Sequence, residues 1–191
     1  MSNNFNLYGS RAGTTVDLTS GSTDINVADI TADAITCTNL TFPKPFSEIY
    51  IEDNVTVTTI TNSNEWTKVA GTTTANSKNQ SFDNTTANKM IYTGTMTKMF
   101  HCGATFSINP STSADIEWSV GISKNGVHLT GSKTLLHSIT NGHHYSSAIH
   151  IFAELATNDY LELEVQNNTN TSNVEFNDVN IFAMALPNDV S

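Results

Sequence analysis

Tyr160-Leu161-Glu162-Leu163-Glu164-Val165 and, further on, Val179-Asn180-Ile181-Phe182-Ala183-Met184 decide the fold. In both, side chains of like character recur at every second position, the period of a strand that buries one face. The same period runs through Glu48-Ile49-Tyr50-Ile51, Val55-Thr56-Val57 and Ile116-Glu117-Trp118-Ser119-Val120-Gly121-Ile122. Turn signals separate such runs at Asn109-Pro110, Asn125-Gly126, Asn141-Gly142, Asn158-Asp159 and Asn167-Asn168. The two Asn-Gly pairs are the strongest, because a tight hairpin turn needs positive φ at its central positions. Many short strands at this spacing predict an all-β chain, folded as an antiparallel sandwich or barrel.

Composition points the same way. Thr, Asn and Ser fill 71 of the 191 positions, and only 14% of residues are charged, where about 25% is usual. Thr is β-branched and suits pleated, half-buried surface, while Asn and Ser favour turns. Eighteen acidic residues stand against eight basic ones, Arg11 being the only arginine; without clustered Lys and Arg to meet phosphates, nucleic acid is not an expected partner. No apolar run approaches a membrane span, and residues 1–10 (MSNNFNLYGS) lack the basic and apolar regions of a signal peptide, so neither membrane insertion nor secretion is expected. Cys37 and Cys102 lie far apart with no CxxC spacing and are read as buried thiols, not as a disulfide or a zinc knuckle.

Residues 16–42 carry a different period. VDLTS, then TDINV, ADITA, DAITC and TNLTF place Leu18, Ile25, Ile30, Ile35 and Leu40 at the centre of successive five-residue units. Five matches neither helix nor straight strand, so a short coiling β repeat is expected. The units resemble the pentapeptide-repeat pattern and the shafts of viral fibres, with a departure at DAITC, where acid and alanine exchange places. So few units cannot bury their own apolar row. Ile25, Ile30, Ile35 and Leu40 are therefore read as an assembly stalk or anchor. Pro43-Lys44-Pro45 closes the segment as an extended joint, which divides the chain into a repeat over 1–45 and a head over 46–191.

The order of segments in the head carries a resemblance. Tyr92 and Gly94 lie on one run, Lys124-Asn125-Gly126 ends another, and Asp159-Tyr160 opens the strand of alternating Leu and Glu. Over about residues 60–187 this arrangement resembles the trimeric jelly-roll heads of the complement-type and tumour-necrosis-factor-like class, which also occur in viral and bacteriophage fibre and capsid proteins. Those families usually have glycine where Asn158 stands here, and Asn tolerates positive φ. The resemblance implies a jelly-roll sandwich and a homotrimer. Phe82, Tyr92, Phe100, Phe106, Tyr145, Phe152, Tyr160, Phe176 and Phe182 can fill its core and are each read as core before interface, and the sequence does not tell which of them face a partner.

Motifs of catalysis are missing from the sequence. There is no GxSxG, no HExxH and no glycine-rich loop leading into a helix. Glu162 with Glu164, and Asp115 with Glu117, have the spacing of acid pairs, and each pair reads as a solvated strand face. Of the six histidines, adjacent His143 and His144 would point to opposite faces of a strand, a poor chelating arrangement. No metal and no cofactor is expected, and the chain is not read as an enzyme.

These readings give a structural virion protein on the particle surface: a fibre head, spike or minor capsid protein that forms a homotrimer and meets other capsid or fibre proteins. The loop Thr140-Asn141-Gly142-His143-His144-Tyr145 is the candidate contact with a host receptor or surface glycan, because a tight turn there presents two imidazoles and a phenol together. Trp66, flanked by Asn64, Glu65 and Thr67, is a further candidate contact. The alternative is a carbohydrate-binding surface module of a cell or spore, which would need an exposed ring at Trp66, Trp118 or Tyr145.

Overall fold

The computed structural model describes residues 44–187, and these form strands and no helix. The five-residue repeat, with Ile25, Ile30, Ile35, Leu40 and Cys37, lies outside the described residues. In chain order the strands are β1 (Phe46–Ile51), β2 (Val57–Thr58), β3 (Thr67–Lys68), β4 (Thr74–Ala75), β5 (Phe82–Asp83), β6 (Met90–Tyr92) and β7 (Lys98–Pro110). They continue as β8 (Ile116–Lys124), β9 (Val127–His128), β10 (Thr134–Ser138), β11 (Tyr145–Leu155), β12 (Tyr160–Asn167) and β13 (Val174–Ala185).

Two antiparallel sheets result. The first runs β11-β7-β13-β1-β4 with β2 beside β13; the second runs β10-β8-β12-β6-β5 with β3 beside β12 and β9 beside β8. Successive strands β6, β7 and β8 change sheet at each step, as do β10 to β13, which is the winding of a jelly-roll sandwich. Alternation does the sorting: Leu161, Leu163 and Val165 of β12 face inward against Phe100, Cys102, Ala104 and Phe106 of β7 in one core. Trp118, Tyr92, Phe100 and Phe176 are its largest fully buried side chains. The Tyr92 and Phe100 rings meet edge to face at 5.0 Å, and the Trp118 indole N–H donates to Ser138 Oγ at 2.8 Å. Burial pushes the Cys102 thiol up to about 12, which keeps it protonated and inert.

The turns follow their residues with one exception. Asn125, Gly126 and Asn158 all have positive φ, at 55°, 74° and 72°, so Asn158 supplies the left-handed turn where the resembling families use glycine. Asp159 clasps two ends together: it accepts from Asn125 Nδ2 at 2.7 Å and from the Ala156 amide at 2.8 Å, and pairs with Lys124 at 3.1 Å. Asn109-Pro110, expected as a turn, instead ends β7 opposite Glu175 and Val174. At a strand end the missing proline N–H costs the ladder little. The long run from Met90 to Ser107 is interrupted after Tyr92, whose hydroxyl donates to the Met96 carbonyl at 2.8 Å. Gly94 leaves the room that phenol occupies.

Three of the aromatics read as core are not buried in it. Phe152 is 59% exposed and Phe182 is only half-buried. Both point to the outward face of the first sheet, because they fall on the parity opposite to Ile149, Ala153, Ile181 and Ala183. Tyr160, also read as core, is half-buried at the start of β12.

Candidate functional site

The outward face of β11-β7-β13-β1 is where this fold departs from an ordinary solvated surface. Strand pairing sets Phe152 opposite His101, His101 opposite Met184, and Met184 opposite Phe46, so one row of large side chains crosses four strands. The next row is His150, Gly103, Phe182 and Glu48. His101 lies among rings, with Phe152 at 5.2 Å, Phe182 at 5.5 Å and His150 at 5.6 Å between centroids. Gly103 makes this possible: a Cβ there would come within 2.6 Å of the Phe182 ring. Met184 is 50% exposed and Met99, at the end of the face, 42%.

Along the same strands the face turns polar. Ala148, Thr105, Asn180 and Tyr50 form the third row. Beyond it opens a shallow cavity of about 600 Å³ bordered by Glu48, Tyr50, Thr105, Ser107, Ser146 and Asp178. Glu48 is held rigidly, accepting from Asn180 Nδ2 at 2.8 Å and Asn76 Nδ2 at 2.6 Å. These amides, Asn180 foremost, keep its carboxyl below the usual range against the opposing effect of burial. A bulge between Phe176 and Asp178 shifts the register of β13 against β7. Asn54 stabilises it, donating from Nδ2 to the Phe176 carbonyl at 2.9 Å while Asn177 Nδ2 donates back to the Asn54 carbonyl.

The expected contact residues do not gather in one place. Asn141 is a structural anchor, its amide donating to Ser113 Oγ and its side chain to the Ser111 carbonyl. The Tyr145 hydroxyl accepts from the Ile139 and Thr140 amides, so the phenol braces the loop. His143 and His144 are exposed, but they lie in the turn before β11 and not on a strand. Ile139, 61% exposed, adds an apolar side chain to this end. Trp66 stands instead at the second sheet, half-buried and stacked on His128 with centroids 3.9 Å apart, and Trp118 is fully buried. None of the three rings named for a carbohydrate platform is freely exposed.

Sequence reasoning also misjudged the acids of β12. Glu162 and Glu164 are 5% and 6% exposed, not a solvated face. Lys68 reaches Glu162 at 3.3 Å and Lys89 at 3.9 Å, and the Lys89 ammonium lies 3.8 Å over the Tyr160 ring. Burial raises the Glu164 carboxyl above its usual range, Ser123 opposes this, and neighbouring Glu162 adds to it. Asp115 lies just outside β8 and pairs with His137. Among the described residues no group of three or more His, Cys, Asp or Glu could hold a metal ion. The residues that reasoning missed are His101, His150, Phe152, Phe182 and Met184. Their signal was present: Ile149-His150-Ile151-Phe152-Ala153 and Ile181-Phe182-Ala183-Met184-Ala185 carry apolar side chains on both parities, the mark of a strand covered on both faces.

The chain matches no family model and no curated protein. Among solved structures it is similar to murine APRIL at pH 5.0, with a TM-score of 0.48 and 10% identity over 74% of this chain and 99% of that one. Eiger TNF from S. frugiperda gives a TM-score of 0.48 at 12% identity, covering 77% of this chain and 96% of that one. The PRD1 vertex protein P5 gives 0.45 at 11% identity, covering 74% of this chain and 96% of that one. Similarity at such identities concerns the course of the chain and not its activity.

Proposed function

We propose that this chain is a structural virion protein, a fibre or spike head that works as a homotrimer on the particle surface. The row Phe152, His101, Met184 and Phe46 carries the reading, because it is a contiguous apolar surface on a sheet whose other side already forms the core. A second copy of the chain is its occupant. Three-fold symmetry rests on the resemblance to trimeric jelly-roll heads, and the particle on the fibre-like repeat that precedes the head. A surface rich in Thr, Asn and Ser supports it too, since short side chains lose little entropy on ordering and offer many hydrogen bonds to neighbouring capsid proteins.

Two finer parts of the reading have their own tests. The repeat is the stalk or anchor: Ile30→Asp with Ile35→Asp abolishes incorporation into particles and leaves the melting of the head unchanged. The loop at His143 and His144 is the receptor or glycan contact, and changing both to Ala removes attachment while the protein stays folded. For the central claim, sedimentation of the full chain at neutral pH gives a trimer, and mass spectrometry finds the chain in purified particles. A monomer at micromolar concentration defeats the assembly reading, and absence from particles defeats the virion reading.

A further inference from the structure

We infer that assembly on this face is released by mild acid through His101 and His150. The inference rests on the homotrimer reading and adds its regulation. The two imidazoles stand on adjacent strands with perpendicular rings 5.6 Å apart, and His101 also touches the rings of Phe152 and Phe182. Among the described residues no hydrogen bond to either imidazole is formed.

The charged and titratable neighbours are few. On β11, Glu154 sits diagonal to His101, opposite Met99. On β1, Glu48 is opposite Phe182 and is already engaged by Asn180 and Asn76, with Tyr50 two positions further along. On β7, Lys98 opens the strand, and the outward positions Met99, Gly103 and Thr105 bear no charge. On β13, Asn180, Phe182 and Met184 bear none, and Asp178 lies beyond the bulge, bonded to Ser107. Among the described residues Glu154 is thus placed to offset one imidazolium, while Glu48 is already engaged by two amides.

In a lone chain water solvates both charges. When a second copy covers Phe152 and Met184 that water is expelled, and two adjacent positive charges would share an aromatic, low-dielectric site. Assembly therefore selects the neutral imidazoles. Histidine is the side chain whose charge changes between about pH 5 and 8, so association weakens as pH falls from 7.5 to 5.5.

The test uses the full chain carrying Ile30→Asp and Ile35→Asp, so that the repeat cannot hold the heads together, with circular dichroism as a check on folding. Sedimentation is measured at pH 7.5 and pH 5.5. A trimer at pH 7.5 that dissociates at pH 5.5, together with a His101→Gln, His150→Gln version whose association, whatever its strength, is the same at both pH values, is the expected result. A trimer unchanged at pH 5.5, or dissociation to the same extent in the glutamine version, overturns the inference and leaves the trimer standing. A monomer already at pH 7.5 defeats the reading that this face holds the trimer, and this inference with it.

Discussion

The two sheets of this sandwich present opposite kinds of outward face. The second sheet closes the middle of its own, where Lys68 and Lys89 reach over the Glu162 carboxylate and His128 fills the notch left by Gly121 with Trp66 stacked upon it, while Leu135 on its edge strand β10 stays 53% exposed. The first sheet leaves its own open, with Phe152 and Met184 in water. A buried Glu162 carboxylate met by two lysines of the same chain describes a surface closed from within. Exposed Phe152 and Met184 in one row across four strands describe a surface left open. Net hydrophobicity alone would not separate the two, because the difference lies in which groups on each face already have partners.

Breaking that contrast should have its largest effect on the open face. Phe152→Asp replaces an aromatic anchor with a charge, and the loss of such an anchor costs about 2–4 kcal/mol at an interface. Association should weaken at least about 30-fold, read by sedimentation, with the head still folded. On the closed face the reverse is expected. Lys68→Met with Lys89→Met leaves the Glu162 carboxylate buried without its cations, which should lower unfolding stability in urea by about 1–3 kcal/mol and leave the oligomeric state alone. If these two variants exchanged phenotypes, the contrast between the faces would be wrong.

Two smaller effects sharpen the comparison. Asn158 holds positive φ at the turn that feeds β12, so Asn158→Ala should cost about 1 kcal/mol in urea, whereas Asn158→Gly should be neutral or slightly stabilising. Glu164 gives the smallest signal. Its carboxyl is raised by burial, so the folded state favours the protonated form. That stabilisation is complete below the unfolded value and is lost as pH rises through the folded one. Glu164→Gln should therefore raise the melting temperature at pH 7, with the advantage shrinking toward pH 4. A constant difference across that range would mean the carboxylate carries no burial penalty.

The open face was partly legible from sequence. Apolar residues on both parities of Ile181 to Ala185 announce a strand covered on two sides, yet Phe182 and Phe152 are read as core before interface because alternation alone does not say which parity faces in. Glu162 was illegible. Its burial depends on Lys68 and Lys89, which arrive from distant segments, and local pattern holds no record of them. The expected contact loop was placed correctly at a turn, but Tyr145 turned out to brace it, because the hydroxyl meets two backbone amides that only the folded loop presents.

Local chemistry by itself determined the strands, the left-handed turns at Asn125-Gly126 and Asn158, and the antiparallel sandwich, because period-two burial and positive φ are properties of neighbouring residues. Only the tertiary structure decided which strands lie side by side. That pairing lines Phe152, His101, Met184 and Phe46 into one row and sets Glu162 beneath two lysines. Such juxtapositions are made by residues far apart in the chain, and they acquire their meaning from what the rest of the fold leaves covered or bare.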